Sequence, residues 1–317
     1  MSQDYATKPE CVLVTGAAGF VGRHVVATLL DRGRRVVALQ QRKALPPDVQ
    51  PQCERVLSGD ICDPAIQQEA LRNAQVVCHL SAYIPVKLDD LQEAAACYLI
   101  NARATLELAL AASERGVRRF VHLSAGNMYA PSDRPCTESD SLFPADYATG
   151  YFVSKLAAEI YLAHVCQRTA MEVVILRVGT PYGPGEPSHK VIPTFLRQAA
   201  QAQTLRLLNG GGTRFNFVYI ADVADCAVRA IESGSPGIYN VASGEHTSLR
   251  EIAQTIVELF PDRKVPLHVE PATPVAFSGF PALSIDKARQ MWRFVPRPLA
   301  EGLRDYRASL AKDGVRS

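Results

Sequence analysis

The stretch from Val12 to Gly22, V-L-V-T-G-A-A-G-F-V-G, decides how this chain folds. Val12, Leu13 and Val14 form a short apolar run suited to a buried parallel strand. Thr15-Gly16 breaks the run, and from Phe20 to Leu30 the apolar residues Phe20, Val21, Val25 and Leu29 take up helical spacing. Strand, glycine turn and helix in that order make a phosphate site. Gly16 permits the tight turn, Gly19 lets backbone N–H groups approach a pyrophosphate, and Gly22 lets the helix pack close to the strand. The helix N-terminus then points its partial positive charge at the anion. A glycine turn that binds nothing is the bland alternative, and the flanking elements speak against it.

Further along, Arg35–Leu39, Val56–Ile61, Val76–Leu80 and Phe120–Leu123 read as strands alternating with helices, one of them Tyr98–Ala112 carrying Asn101. That alternation predicts an α/β fold with a doubly wound parallel sheet. A loop at Pro131–Ser141 leads to a helix opening near Tyr147. Residues 1–180 are expected to form the dinucleotide-binding domain, with 215–234 returning to it through a helix at Val223–Ser233. Residues 181–214 and 235–317 are expected to form a smaller C-terminal α/β substrate lobe, with Gly210-Gly211-Gly212 as a turn, a helix at Gly302–Ala311 and a frayed tail from Lys312.

The chain has 317 residues, 47% of them hydrophobic, enough to bury a sizeable core. A net charge of +2 argues against nucleic acid and membrane surfaces as partners and leaves a small molecule. Met1–Glu10 is polar, and no apolar run has signal-peptide or membrane-spanning length, so the expected location is cytoplasmic. The eight cysteines are scattered singly, and Cys11, Cys78, Cys97, Cys166 and Cys226 read as buried reduced thiols. The seven histidines lack metal-ligand spacing, so no metal is expected, and His79, inside an apolar run, reads as a core histidine. Trp292 reads as core, and Tyr83, Tyr182 and His189 as either pocket or packing residues.

Two further readings concern chemistry. Nicotinamide sites that prefer NAD carry an acidic residue at the end of the second strand, where it accepts from the adenosine ribose. Here that strand ends in Gln40-Gln41, followed by Arg42 and Lys43. A carboxylate there would repel a 2′-phosphate by roughly 4 kcal/mol at ~4 Å, and a guanidinium clamps it, so NADP(H) is favoured over NAD(H). Asp60 is a candidate partner for the adenine amino group. Tyr151 and Lys155 lie four residues apart on one helix face. A free phenol titrates near ~10, so acid–base work near pH 7 asks for a shift of about three units, or roughly 4 kcal/mol. A neighbouring ammonium supplies much of that by favouring phenolate.

Taken together, these residues resemble the extended short-chain dehydrogenase/reductase family, which holds nucleotide-sugar epimerases and dehydratases on a Rossmann fold. Thr15 to Gly22 matches its cofactor fingerprint through Gly16, Gly19, Phe20, Val21 and Gly22. Asp60-Ile61 and His79-Leu80-Ser81-Ala82 match its later nucleotide contacts, Asn101 its helix asparagine, and Tyr151 and Lys155 its catalytic pair. Leu176 to Gly185, Phe217 to Ala224 and Tyr239 to Gly244 look like its later markers, with Val178 at the cofactor and Thr180 at the substrate. The resemblance implies that Tyr151 exchanges a proton with the reacting oxygen. Lys155 would hold the nicotinamide ribose and lower the Tyr151 pKa, and Asn101 would order the site. It also implies a homodimer formed through the helices carrying Asn101 and Tyr151.

Three departures bear on the substrate. The family's Ser or Thr lies four residues before the Tyr of its V-Y-G segment, which here is Met128-Tyr129-Ala130, so Ala125 stands at the hydroxyl position and Ser124 must substitute. The dehydratases' Asp-Glu pair is replaced by Gly126-Asn127, which argues against water elimination. The diphosphate arginine falls one place early, at Arg214, which is either a diphosphate ligand or a surface arginine. Tyr83, Ala125, Asn127, Thr180 and Arg214 are thus the candidate substrate residues. The leading expectation is an NADP(H)-linked 4-ketoreductase or epimerase of a nucleotide sugar. One alternative is a reductase of a non-nucleotide ketone, aromatic or polyketide. Another is a cofactor-binding protein without chemistry.

Overall fold

The computed structural model describes residues 10–87, 90–142, 148–272 and 279–312. The expected polar lead before Glu10, helix opening at Tyr147 and tail beyond Lys312 lie outside them. A seven-stranded sheet carries the fold. Its strands in chain order begin with β1 (Cys11–Thr15), β2 (Arg35–Gln40), β3 (Arg55–Ser58), β4 (Val76–His79), β5 (Arg119–Ala125) and β6 (Glu172–Val178). Four short strands follow, β7 (Thr180–Tyr182), β8 (Leu205–Leu207), β9 (Arg214–Phe215) and β10 (Phe217–Tyr219), before β11 (Gly237–Val241) closes the sheet. The order across the sheet is β11-β6-β5-β4-β1-β2-β3. From β1 the chain builds outward through β2 and β3, then returns to β4 and builds the other way. The direction changes between β1 and β4, and in open α/β sheets that is where a ligand sits, beyond the strands' carboxyl ends. Every residue of β1 is buried, as a central parallel strand covered on both faces requires.

The helices run α1 (Phe20–Asp31), α2 (Pro64–Ala70), α3 (Leu91–Cys97), α4 (Ala104–Glu114), α5 (Thr149–Cys166), α6 (Val191–Ala200), α7 (Ile220–Glu232), α8 (Leu249–Glu258), α9 (Asp286–Trp292) and α10 (Leu299–Lys312). The helix expected over Tyr98–Ala112 is corrected. The chain is already helical from Leu91, passes through a π-helical turn at Tyr98–Arg103, and continues as α4. Apolar spacing does not report a turn wound one residue wide, and such turns gather at functional positions.

Two compact units result. One takes in the described residues as far as Ser124, with Ala148–Ile175 and Ala227–Gly237; the other takes the described residues from Ala125 to Leu142, Leu176–Cys226 and those from Ile238 onward. Strands β5 and β6 pass their last residues, Ala125 and Leu176–Val178, to the second unit. Within that unit, β7 pairs with β10 and β8 with β13 (Leu267–Val269), both parallel, while β9 pairs antiparallel with β12 (Thr247–Ser248). Its core joins Phe195 and Leu196 of α6 to Ile252 and Ile256 of α8 and Leu303 and Tyr306 of α10. A capping box fixes the start of α8, Ser248 Oγ accepting from the Glu251 N–H while Glu251 accepts from Ser248. Tyr182, a candidate pocket residue, belongs to this core at 2% exposure, and His189 is exposed. Trp292 is buried against the Tyr239 ring, as expected. All eight cysteines are free; Cys11, Cys78, Cys97 and Cys226 are buried, whereas Cys166, contrary to expectation, is only half-buried at the C-terminus of α5.

Candidate active site

The glycine turn is as tight as its sequence demands. Gly16 has φ +65°, and a Cβ there would stand 2.8 Å from the Ser81 backbone nitrogen. A Cβ on Gly22 would fall 2.1 Å from the Gly16 carbonyl oxygen, so helix and turn can approach this closely only without side chains. Gly19 is the N-cap of α1 and brings no capping side chain, which leaves first-turn N–H groups available for an anion.

Around this turn the first unit holds a cavity of about 320 Å³. Gly16 and Gly19 line it at the β1 edge, Gln40 and Arg42 at the β2 edge, and Asp60 and Ile61 after β3. Leu80, Ser81, Ala82 and Tyr83 line it after β4. Phe20, Val21 and Gly22 stand in the first turn of α1 and are not among the lining residues. Gln41, Lys43 and Ile100 also line the cavity, although the sequence reading did not assign them to it. The Gln40 amide is engaged inside the protein, its Oε1 accepting from Leu45 N–H at 2.9 Å, whereas Arg42 and Lys43 are exposed at the cavity. Asp60 Oδ1 accepts from the Cys62 N–H. A glycine cradle that a Cβ would fill, an uncapped helix start and this cavity together fit a dinucleotide.

A chain of hydrogen bonds leaves the turn. Thr15 Oγ1 accepts from the N–H groups of Leu80 and Ser81, both at 3.2 Å, so its own proton is directed to His79 Nδ1 at 2.7 Å. His79 Nε2 then donates to Thr105 Oγ1 at 2.9 Å, and Thr105 donates to the Asn101 carbonyl at 2.7 Å. His79 is the satisfied core histidine that the apolar run implied.

Asn101 sits in the π-helical turn, fully buried. Its Oδ1 accepts from Tyr83 N–H at 2.7 Å, and its Nδ2 donates to the Tyr83 carbonyl at 2.9 Å and to Ser154 Oγ at 3.0 Å. Ser154 donates in turn to the Tyr151 carbonyl at 2.6 Å. The glycine turn, the segment after β4 and the helix bearing Tyr151 and Lys155 are thereby braced within one unit. The sequence reading did not single out Ser154; its place just before Lys155 was the only available signal.

Burial governs the ionisation of this region. The Lys155 ammonium is 2% exposed, and desolvation pulls its pKa down to about 8, with Glu159 opposing. His79 is pushed down to about 3, first by burial and then by Lys155, and His122, whose ring stacks on His79 at 5.4 Å, is also held well below the usual range. Tyr151 overturns an expectation. Its phenol is pushed up to about 12 by burial, with a smaller push from Cys97, and the lowering expected from Lys155 is not among the causes of this shift.

The two neutral imidazoles make stability acid-sensitive. Because the unfolded chain binds protons near pH 6.5 that the folded chain refuses, stability falls as pH drops below that value. For His79 the loss is about 2 kcal/mol between pH 6.5 and 5. Both ring nitrogens of His122 are buried without a hydrogen-bond partner among the described residues. His122→Phe is therefore expected to lose less stability than wild type between pH 7 and 5 in urea unfolding. An equal loss in both would assign the acid sensitivity elsewhere.

Ser124 Oγ, at the end of β5 in the first unit, is likewise buried and unpartnered among the described residues. Ala125, next in the chain, is buried at 8% exposure. In the second unit, Asn127 Oδ1 and Thr180 Oγ1 are also buried and unpartnered among the described residues. The Val178 carbonyl accepts from Gly126 N–H at 2.7 Å. Arg214 donates to the His246 carbonyl and pairs with Glu251 at 3.4 Å, which settles its side chain at the start of α8. Asn216 Nδ2 donates to the Pro281 carbonyl, and its Oδ1 accepts from the Leu283 N–H.

Comparison with known proteins matches this geometry. The model of the NAD dependent epimerase/dehydratase family matches residues 12–242. The chain is 31% identical over 260 residues to a dTDP-D-glucose 4,6-dehydratase of Mus musculus, covering 78% of this chain and 72% of that protein. It is 27% identical over 314 residues to a dTDP-4-dehydro-6-deoxy-D-allose reductase of a Streptomyces species, covering 93% and 94%. Among solved structures, a Thermus thermophilus UDP-glucose 4-epimerase in complex with NAD superposes with a TM-score of 0.82 at 27% identity, covering 96% of this chain and 99% of that one. The chain belongs to the NAD dependent epimerase/dehydratase family, within the extended short-chain dehydrogenases/reductases, and is an NAD(P)-dependent oxidoreductase.

Proposed function

We propose that the protein is an NADP(H)-linked oxidoreductase acting at a carbonyl or carbinol carbon of a nucleotide sugar, as a 4-ketoreductase or epimerase. The observation that carries this reading is the Asn101–Ser154–Tyr151 connection, which holds a phenol and a buried ammonium on one helix beside the segment that follows β4. When bound, the nicotinamide supplies or takes up the hydride. Tyr151 gives its proton to the substrate oxygen on reduction and takes it back on oxidation. Lys155, still an ammonium at pH 7, holds the ribose hydroxyls and stabilises the phenolate left behind. Ser124 Oγ, already dehydrated and unpartnered among the described residues, is a donor for the substrate oxygen in place of the missing hydroxyl at Ala125. Gly126-Asn127 offers no acid–base pair, so dehydration is not part of the reading, although a dehydratase is among the relatives.

Support for the sugar nucleotide comes from the reductase relative, which matches along nearly the whole chain. A second reading, reduction of a non-nucleotide ketone, is favoured by Arg214, whose guanidinium is already engaged by His246 and Glu251. Thermal unfolding with UDP, dTDP, GDP and CDP at millimolar concentration separates the two. Protection by one of them supports the first reading, and protection by none supports the second.

The NADP(H) preference rests on Arg42 and Lys43 at a cavity edge whose strand ends in glutamine. Arg42→Ala is expected to weaken NADPH binding at least about tenfold and NADH binding less than about twofold. Equal losses, measured by fluorescence titration, would place the preference on another residue. The proposed homodimer is supported by apolar side chains exposed on α4 and α5, among them Leu110, Val153, Ile160 and Tyr161. Eight free cysteines suit the reducing cytoplasm.

A further inference from the structure

A second cavity, larger than the one at the glycine turn, lies in the second unit and shares no lining residue with it. It measures about 600 Å³, within the range of small-molecule sites. The loop at Gly185–Ser188, α6, Phe260 and Arg263 in the segment after α8, and α10 form its walls. Its apolar surface comes from Pro193, Leu196, Phe260 and Leu310, and four arginines also line it, Arg197, Arg263, Arg304 and Arg307.

Two of these arginines are already oriented. Arg307 lies over the Phe260 ring, 4.5 Å from its centroid, and donates to the Leu259 carbonyl. Arg197 donates to the Ser188 carbonyl at 3.4 Å and to Thr194 Oγ1 at 3.5 Å. The single acid in the lining, Glu186, has its Oε2 buried without a hydrogen-bond partner among the described residues. Burial pushes that carboxyl up to about 8, so at neutral pH it presents an O–H donor rather than a countercharge to the arginines. An apolar chamber lined by four cations and one neutral acid is complementary to an apolar body bearing a negative head.

We propose that this cavity is a second ligand site, built for an amphiphilic anion: a carboxylate or phosphate head held by the arginines, with its apolar portion against Leu196, Phe260 and Leu310. Two sources share this chemistry, a fatty acid and an alkyl phosphate.

Calorimetric titration of the full chain with dodecanoate, dodecyl phosphate and dodecanol tests the proposal. Saturable one-to-one binding of at least one anion is expected, with the tighter of the two naming the head group and dodecanol at least about tenfold weaker than either. Ala308→Trp, which narrows the site from an exposed position, and Arg263→Ala, which removes one charge-assisted contact, are each expected to weaken the anion by about tenfold. Thermal unfolding checks that both variants fold; should the tryptophan variant fail, the alanine variant decides. The proposal is overturned by dodecanol binding as tightly as the anions, by no saturable binding up to ~1 mM, or by folded variants that bind like wild type.

Discussion

Tyr151→Phe is expected to lower turnover by at least ~10²-fold while leaving NAD(P)H affinity within about twofold, the range of general acid–base catalysis. The substitution removes one oxygen and keeps the ring that packs on Phe152 at 5.4 Å. Because Ser154 holds the residue through its backbone carbonyl, the helix stays in place when the phenol is lost. The fall therefore reports proton transfer rather than a collapsed site. With the phenol pushed up to about 12, wild type retains its proton for reduction across the neutral range. On the proposed mechanism Tyr151 acts as phenolate in the oxidation direction, so that rate should rise with pH and the phenylalanine variant should lose the rise. Normal turnover in the variant would end the assignment.

Lys155→Met should separate stability from function. Turnover is expected to fall by at least ~10²-fold, because the ammonium that supports the phenolate is gone. Stability at pH 7 should rise by up to about 3 kcal/mol, the cost of holding a lysine whose pKa is pulled from 10.5 to about 8, less whatever Glu159 loses with its partner. The direction follows from linkage. Between pH 8 and 10.5 the unfolded chain binds a proton that the folded chain has released, so wild-type stability from this group climbs with pH across that window. Methionine of similar length has no proton to lose, and its stability curve should lack the climb. Urea unfolding at pH 7, 8 and 10 measures both effects. A variant less stable than wild type at pH 7 would mean that Glu159 needs the cation more than burial penalises it. On the proposed function, a penalised group held for chemistry fits the common trade between stability and activity.

Much of the molecule was legible because its signals are local. A strand that must be buried on both faces writes a run such as Val12-Leu13-Val14, and a turn at φ +65° beside the Ser81 backbone admits only glycine at position 16. The four-residue interval between Tyr151 and Lys155 puts both on one helix face by geometry alone. His79 in its apolar run was legible for the same reason, as a residue on a buried strand.

Other features had no local trace. The π-helical turn at Tyr98–Arg103 arises where Asn101 grips the Tyr83 backbone and Ser154, partners 18 and 53 residues away. The setting of Arg214 depends on Glu251 and His246, which meet it through an antiparallel pairing with β12. The direction of the Tyr151 ionisation was not legible from spacing alone, since burial sets it and the spacing carries no trace of burial.

The amino-acid order by itself determined the doubly wound sheet, the glycine cradle and the helix face that carries the phenol and amine, all consequences of backbone sterics and side-chain periodicity over a few residues. Tertiary structure alone decided the hydrogen-bonded brace from Thr15 to Tyr151, the protonation preferences of Tyr151, Lys155 and Glu186, and the arginine-lined chamber of the second unit. These depend on the dielectric and the partners that distant segments bring, and no short window of sequence contains either.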